Sequence, residues 1–219
     1  ARRLWDQGTA VAGTPADAYL TVTRGIPAPL TGWPHEVIRF LPNATALMAC
    51  GTDDDGNVQF VHFIRLTPGG TKAAPDGKPI KVTRGVMTGA FVRLPGVVTG
   101  PRQLDEGLET ALTTWVATGF ETYAAVGSNT RHNPPLNWPS ILCIDDDPTD
   151  NALIAKIAEW MEAGANILVA TPWPERRRDK SDFNDVLCQA GLAAVQARVL
   201  AAKPLVIDTT PHFPRPHLE

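Results

Sequence analysis

The sequence predicts an α/β protein: a mostly parallel sheet with flanking helices, preceded by a smaller, mainly β (α+β) subdomain. Three observations predict it. From Val97 onward, short apolar runs alternate with helical patterns, which is the signature of strands joined by crossover helices. Before that point, apolar runs are separated by turn residues, with a helix only at the start. Finally, acids follow directly on apolar positions at Leu104-Asp105-Glu106 and Ile144-Asp145. These are carboxyl ends of predicted strands, where open α/β sheets bind ligands.

Ala1 to Gln7 reads as the end of a helix. Thr14-Pro15-Ala16-Asp17 starts another, with Thr as N-cap, Pro at the first helical position and an acid in the first turn; Gly25 closes it. Pro27 to Pro34 is a proline-rich linker. Strands are predicted at Val37 to Leu41, Ala46 to Thr52 and Val58 to Leu66. Asp53-Asp54-Asp55-Gly56-Asn57 lies between the last two; it has hairpin-turn chemistry and lacks the spacing and terminal Glu of a calcium loop. Thr67 to Pro79 is a Gly/Pro/Lys loop, and Met87 to Leu94 a further strand. In the second part the prediction is strand Gln103 to Asp105, helix Gly107 to Thr118, strands Thr122 to Val126 and Ser140 to Ile144, helix Thr149 to Ala163, strand Ile167 to Ala170, and helices Phe183 to Gln189 and Leu192 to Ala201. The organisation expected is a basic subdomain over 1–98, a catalytic domain over 99–203, and a Pro/His-rich tail over 204–219 that reads as vector-derived.

With 219 residues, 43% hydrophobic content and a net charge of −3, the chain is an ordinary globular protein by composition. Its charges are unevenly spread. Phe60 to Arg102 holds Arg65, Lys72, Lys78, Lys81, Arg84, Arg93 and Arg102 against Asp76, whereas Gln103 to Asp185 holds fourteen acids against six bases. A basic half beside an acidic half suits a protein that holds a polyanion and a metal; solvated faces of differing charge are the alternative. Cys50, Cys143 and Cys188 are odd in number, widely spaced and in apolar surroundings, which predicts free buried thiols in a reducing cytoplasm. No apolar run is long enough to cross a bilayer, so no membrane partner is expected and the localisation predicted is cytoplasmic.

The acids carry the chemistry. Glu106 sits where a strand gives way to a helix, Asp145-Asp146-Asp147 end a doubly buried strand, and Asp182 lies in Lys180-Ser181-Asp182-Phe183-Asn184-Asp185 ahead of a helix. Three adjacent carboxylates repel one another and stay ionised only if solvated or if a cation sits among them. Mg²⁺ takes a few carboxylates and keeps several waters, so acids scattered over strand ends suit it. On this reading Asp145, Asp147 and Asp182 hold metal, while Glu106 completes the coordination or acts as general acid or base. Each has a structural alternative: a helix-start acid for Glu106, a solvated turn for Asp145 and Asp147, an N-cap for Asp182. Glu109, one helical turn from Glu106, would share its face and could orient it or touch metal, whereas Asp146 and Asp185 read as supporting or surface acids.

In order, Glu106-Gly107-Leu108-Glu109-Thr110-Ala111-Leu112, Asp145-x-Asp147 and Lys180-x-Asp182-Phe183-Asn184-Asp185 resemble the Toprim domain of bacterial DnaG-type primases, topoisomerases and some nucleases. The form is that found in primase-like proteins of phages, plasmids and integrated elements, and Gly13-Thr14-Pro15-Ala16, Tyr19-Leu20 and Arg24-Gly25-Ile26 resemble the segment preceding Toprim there. Two positions depart from the pattern: Asp150 stands where Gly is common, and Asp105 where a small or apolar residue is common.

The resemblance implies a DNA primase, a nucleotidyltransferase using Mg²⁺ (or Mn²⁺) to make short RNA primers on a single-stranded DNA template from nucleoside triphosphates, in company with a replicative helicase, fused or separate. Phosphate contacts are expected from Lys81, Arg84, Arg93 and Arg65, with Lys180 and Arg176-Arg177-Arg178 as a second basic cluster near Asp182. The alternatives are a Toprim nuclease or a non-catalytic DNA-binding or helicase-associated module; with only Tyr19 and Tyr123 available, no topoisomerase tyrosine motif is present.

Overall fold

In the computed structural model, the residues described are 1–77, 80–97, 99–126, 139–147, 151–177 and 179–205. Lys78, His132, Pro148, Asp150, Arg178 and the tail from 206 lie outside them. Among the described residues the strands form two sheets.

The first sheet is an antiparallel meander of β1 (Ile38–Leu41), β2 (Ala46–Thr52), β3 (Val58–Arg65) and β4 (Lys81–Gly85), in that order. The β2–β3 connection is built on Asp53, whose carboxylate accepts from Asp55 N, Asn57 N, Asn57 Nδ2 and Gln59 Nε2, while Gly56 takes φ +79°. That is turn chemistry, as the sequence predicts. Strand β4 is absent from the sequence prediction. Among the described residues it pairs only with β3 and is mostly exposed, so Lys-Val-Thr-Arg-Gly carries charge rather than the apolar alternation that marks a half-buried strand. The predicted strand Met87 to Leu94 is shorter: a turn closed by Ala90 N to Met87 O, with Gly89 at φ +71°, leaves Phe91 bridging Thr52 and β5 as Val92–Leu94.

Helix α1 (Arg2–Trp5) covers the outer face of this sheet, where Trp5 packs with Leu41, Met48 and Val61 under the Arg39 guanidinium. Helix α2 (Pro15–Ala18) starts at Thr14, whose Oγ1 accepts from Ala16 N, and runs on as a π-helical turn over Tyr19–Thr23 until Gly25 at φ +65°. It buries Tyr19 and Leu20 completely.

The second sheet has the order β5-β7-β6-β8-β9, with β6 (Arg102–Asp105), β7 (Thr122–Ala124), β8 (Ser140–Cys143) and β9 (Ile167–Ala170) mutually parallel and β5 antiparallel to β7. It is therefore a mixed sheet. Strand β5, before the boundary predicted at 98, belongs to it. Helices α3 (Leu108–Thr118), α5 (Phe183–Ala190) and α6 (Leu192–Leu200) pack on one face, against Ala124, Ile141, Cys143 and Ala170. Helix α4 (Asn151–Glu162) packs on the other, where Leu153, Ile157 and Trp160 meet Leu104, Leu142 and Ile144. Alternate residues of β8 thus feed two cores, which is why that strand reads as a continuous apolar run, whereas β6 gives Leu104 to one core and buries the polar Gln103 and Asp105 on the other side.

The first of those cores runs through both sheets, since Tyr19, Leu47, Phe60 and Ile64 join the same buried cluster as Leu108, Ala111 and Val195. Cys50 and Cys143 are buried and unbridged, but Cys188 is exposed, contrary to the expectation for its apolar neighbourhood. It lies on the outward side of α5, past Val186 and Leu187, which the core takes. Among the described residues no helix is long and apolar enough to cross a membrane.

Candidate functional site

Strands β6 and β8 are neighbours in parallel register, with Asp105 opposite Cys143, so the segments that leave their carboxyl ends emerge side by side. From β6 the chain passes through half-exposed Glu106 to Gly107, the N-cap of α3. From β8 it passes through Ile144 into Asp145, Asp146 and Asp147. Asp182 opens α5 nearby as a full capping box: its carboxylate accepts from Asn184 N at 2.7 Å and Asp185 N at 3.0 Å, and Asp185 accepts in return from Asp182 N at 2.8 Å. Cap and candidate ligand are therefore one residue, with Arg24 3.6 Å from its second oxygen. Burial first, and then the neighbouring Asp185, raise its pKa.

The three aspartates after β8 divide by period two. Asp145 and Asp147 are half-buried; Asp146 between them is 1% exposed and turned inward. Its carboxylate accepts from Arg176 Nε at 2.7 Å and from the backbone N–H of Arg177, and Arg176 also donates to the Asp147 carbonyl at 3.1 Å. The backbone of Asp146 bonds both Lys180 N and Ser181 O, with Lys180 in the left-handed region at φ +65°. Asp146 thus ties the 176–181 loop to the end of β8. Replacing it with Ala removes the carboxylate that Arg176 Nε and the Arg177 N–H donate to and should cost about 3 kcal/mol, scaled from buried ion pairs broken on one side. A urea unfolding curve measures the loss, and a cost within error of zero would count against the tie.

Asp105 is fully buried, with Thr114 Oγ1 donating to Oδ2 at 3.1 Å and no hydrogen-bond partner for Oδ1. Burial pushes its pKa well up, and the charges of Asp145 and Asp182 push it further. The three carboxyl groups therefore share one electrostatic neighbourhood. A group whose folded pKa is raised contributes stability at low pH that is lost as pH rises through the folded value. Asp105→Asn should accordingly stabilise the metal-free protein in chelator at pH 8 but not at pH 4, an outcome that thermal melts at the two pH values would contradict if the gain were equal or reversed.

The predicted basic residues do not form one surface. Lys81 points toward α3, where its Nζ lies 3.2 Å from Glu109 Oε1 and Lys72 Nζ lies 2.7 Å from the same oxygen. Tyr19 donates to that oxygen too, at 3.0 Å. Glu109 is thus spent at the junction of the two sheets rather than on Glu106 or a metal, and its carboxyl is held well below the usual range against the cost of burial by Lys81 and Lys72. Arg84 and Arg65 instead line a cavity of about 250 Å³ on the outer face of the first sheet, with Leu4, Phe63 and Val82. Odd spacing along β4 puts Lys81 and Arg84 on opposite faces. Arg93 pairs with Asp54 at 2.7 Å and lies over the Tyr123 ring.

Among the described residues no three His, Cys, Asp or Glu side chains converge closely enough to cage a metal. The donors at the strand ends are all carboxylate oxygens, and Asp105 beside them is a buried acid whose pKa is raised first by burial and then by the charges of Asp145 and Asp182. That donor set fits a hydrated Mg²⁺ held by one or two carboxylates, not a dense cage.

The chain, 18% identical over 93% of its length, superposes on 81% of the RNA polymerase domain of Mycobacterium tuberculosis primase DnaG bound to a double-stranded DNA oligomer with a 6-nucleotide overhang, with a TM-score of 0.57. The fold is primase-like. The primase fragment of the bacteriophage T7 primase-helicase protein matches at a TM-score of 0.53 and 17% identity, over 74% of this chain and 66% of that one. In a further Mycobacterium tuberculosis DnaG polymerase domain in complex with double-stranded DNA, the match covers 73% of this chain but 54% of the other, at 18% identity and a TM-score of 0.50, so this chain spans about half of that protein. The profile of a domain of unknown function, DUF7146, matches residues 1–94. No curated protein matches the chain.

Proposed function

We propose that the chain is the catalytic part of a DNA primase, performing Mg²⁺-dependent nucleotidyl transfer to make short RNA primers on single-stranded DNA, with 99–203, completed by β5 from before that boundary, as its Toprim domain and the rest of 1–98 as the template-binding subdomain. One observation carries the reading: Glu106 and Asp145 to Asp147 leave the carboxyl ends of adjacent parallel strands, beside Asp182, in a fold similar to that of primase polymerase domains.

In this reading Asp145, Asp147, Asp182 and Glu106 would hold Mg²⁺ (or Mn²⁺), which supplies charge neutralisation at the transferred phosphate and at the attacking and leaving oxygens. Glu106 is half-exposed at a strand-to-helix turn, and it takes the proton of the attacking 3′-hydroxyl. Asp146 fixes the loop that brings Asp182 and the basic residues alongside. Lys72 and Lys81 share a single carboxylate, so their cluster keeps one excess positive charge with which to meet a template phosphate. Arg65, Arg84 and Arg93 supply contacts elsewhere along the strand, and Lys180 meets nucleotide phosphates near Asp182. The reading implies a replicative helicase, fused or separate, as partner.

The test is primer synthesis on single-stranded DNA with labelled ribonucleotides and Mg²⁺ or Mn²⁺. Template-dependent ribonucleotide products are expected. Loss of the DNA instead would make the chain a nuclease, and binding without either would make it a non-catalytic module.

A further inference from the structure

Beyond β9 the chain runs through Thr171 and Pro172 to Trp173, whose ring is fixed at its edge by Nε1 donating to Ser181 Oγ at 2.7 Å. The Trp173 carbonyl accepts from Arg198 Nη2 at 3.0 Å and Thr171 Oγ1 at 2.8 Å. The Arg177 guanidinium lies over this ring, 3.7 Å from its centroid. Arg177 is exposed and makes no ion pair among the described residues.

This stack is not needed to hold the loop. Asp146 already anchors it through Arg176, the Arg177 N–H and the backbone of Lys180 and Ser181. What the stack adds is a flat cation backed by an aromatic ring, one residue from an arginine bonded to the Asp147 carbonyl. A concavity of about 360 Å³ opens beside it, lined by Trp173, Pro174, Glu175, Arg176 and Arg177. A guanidinium plane stacks on the face of a nucleobase as it does on indole, and a base of any identity offers such a face.

We propose that Arg177, held flat on Trp173, is the stacking platform for the base of a nucleoside triphosphate whose phosphates reach the Asp145 to Asp147 edge. The inference rests on the nucleotidyl-transfer reading for the class of ligand. It adds that the base, and not only the phosphates, is bound, through its face rather than its hydrogen-bonding edge, so all four ribonucleotides are accepted.

The test compares ATP with inorganic tripolyphosphate, which carries the phosphates without a base, by competition against a fluorescent nucleotide in Mg²⁺. ATP should bind on the order of tenfold more tightly. Arg177→Lys keeps the charge but not the plane, so it should bring ATP down to the tripolyphosphate level and leave tripolyphosphate binding and the melting temperature unchanged. Trp173→Phe, which retains a ring, should keep part of the advantage. Equal binding of ATP and tripolyphosphate by the unaltered protein, absence of binding by either, or an undiminished ATP advantage in Arg177→Lys would each overturn the proposal. Failure of the catalytic reading is seen separately: a protein that makes no primers but prefers ATP over tripolyphosphate through Arg177 loses that reading and keeps this one.

Discussion

Glu106→Gln and Asp145→Asn should each lower primer synthesis by a factor of about 10² to 10⁴, the range associated with loss of a positioned proton-transfer group, and leave the melting temperature within a few degrees of the unaltered protein. Both substitutions are isosteric, and both positions are half-exposed rather than core, so the fold should tolerate them. The initial rate of labelled product formation measures the effect. Asp146→Asn supplies the contrast: it keeps the shape but weakens the tie to Arg176, so it should lose stability and activity together. Activity within twofold of the unaltered protein in either Glu106→Gln or Asp145→Asn would remove those acids from the chemistry.

The largest stability effect should come from Glu109→Ala. It withdraws the carboxylate on which Tyr19, Lys72 and Lys81 converge, leaving two ammonium groups facing each other beside a buried phenol. Removing one partner of a buried pair costs about 3 to 5 kcal/mol, and the partly exposed lysines bring this to roughly 2 to 4 kcal/mol. The pH dependence follows from the direction of the shift. Glu109 titrates below its ordinary value when folded, so its contribution is complete above about pH 4.5 and is lost as pH falls toward the folded value. His62, pushed down to about 4 chiefly by burial, acts in the same sense: its contribution is complete above 6.5 and is lost as pH falls through about 4. The unaltered protein should therefore weaken steadily from pH 6.5 downward. In Glu109→Ala the part below 4.5 should flatten while the part due to His62 remains, a comparison that urea unfolding between pH 3 and 8 resolves. Parallel curves for the two proteins would show that Glu109 is not the acid-sensitive group.

Much of the second sheet is legible from its residues because β8 feeds two cores and reads as a continuous apolar run, and because helices α3 and α5 start or stop on a Gly or Asp that the sequence displays, as at Gly107, Gly119 and Asp182. Strand β4 is not, since its stability comes from pairing with β3 rather than from an apolar face. The acids divide in the same way. Alternation after a strand is enough to set Asp146, read from the sequence as a supporting or surface acid, apart from Asp145 and Asp147. Helical spacing tells only that Glu109 shares a side with Glu106. That Lys72 and Lys81 would claim it depends on a fold-back of the 66–81 segment, a long-range event with no local mark. The sequence displays how many basic residues there are, but a count carries no faces, and the faces separate Lys81 from Arg84.

Strand β5 has a consequence for how such a chain can be divided. The DUF7146 match ends at residue 94, the last residue of β5, yet β5 completes the second sheet by lying against β7, and Phe91 just before it bonds back to Thr52 of the first. A cut made there would strip β7 of its neighbour and expose a row of backbone amides and carbonyls ready to pair with another copy. The two halves are joined as a garment is by a sleeve sewn from one panel into the other, so evolution and protein engineers alike must move the seam together with both pieces of cloth.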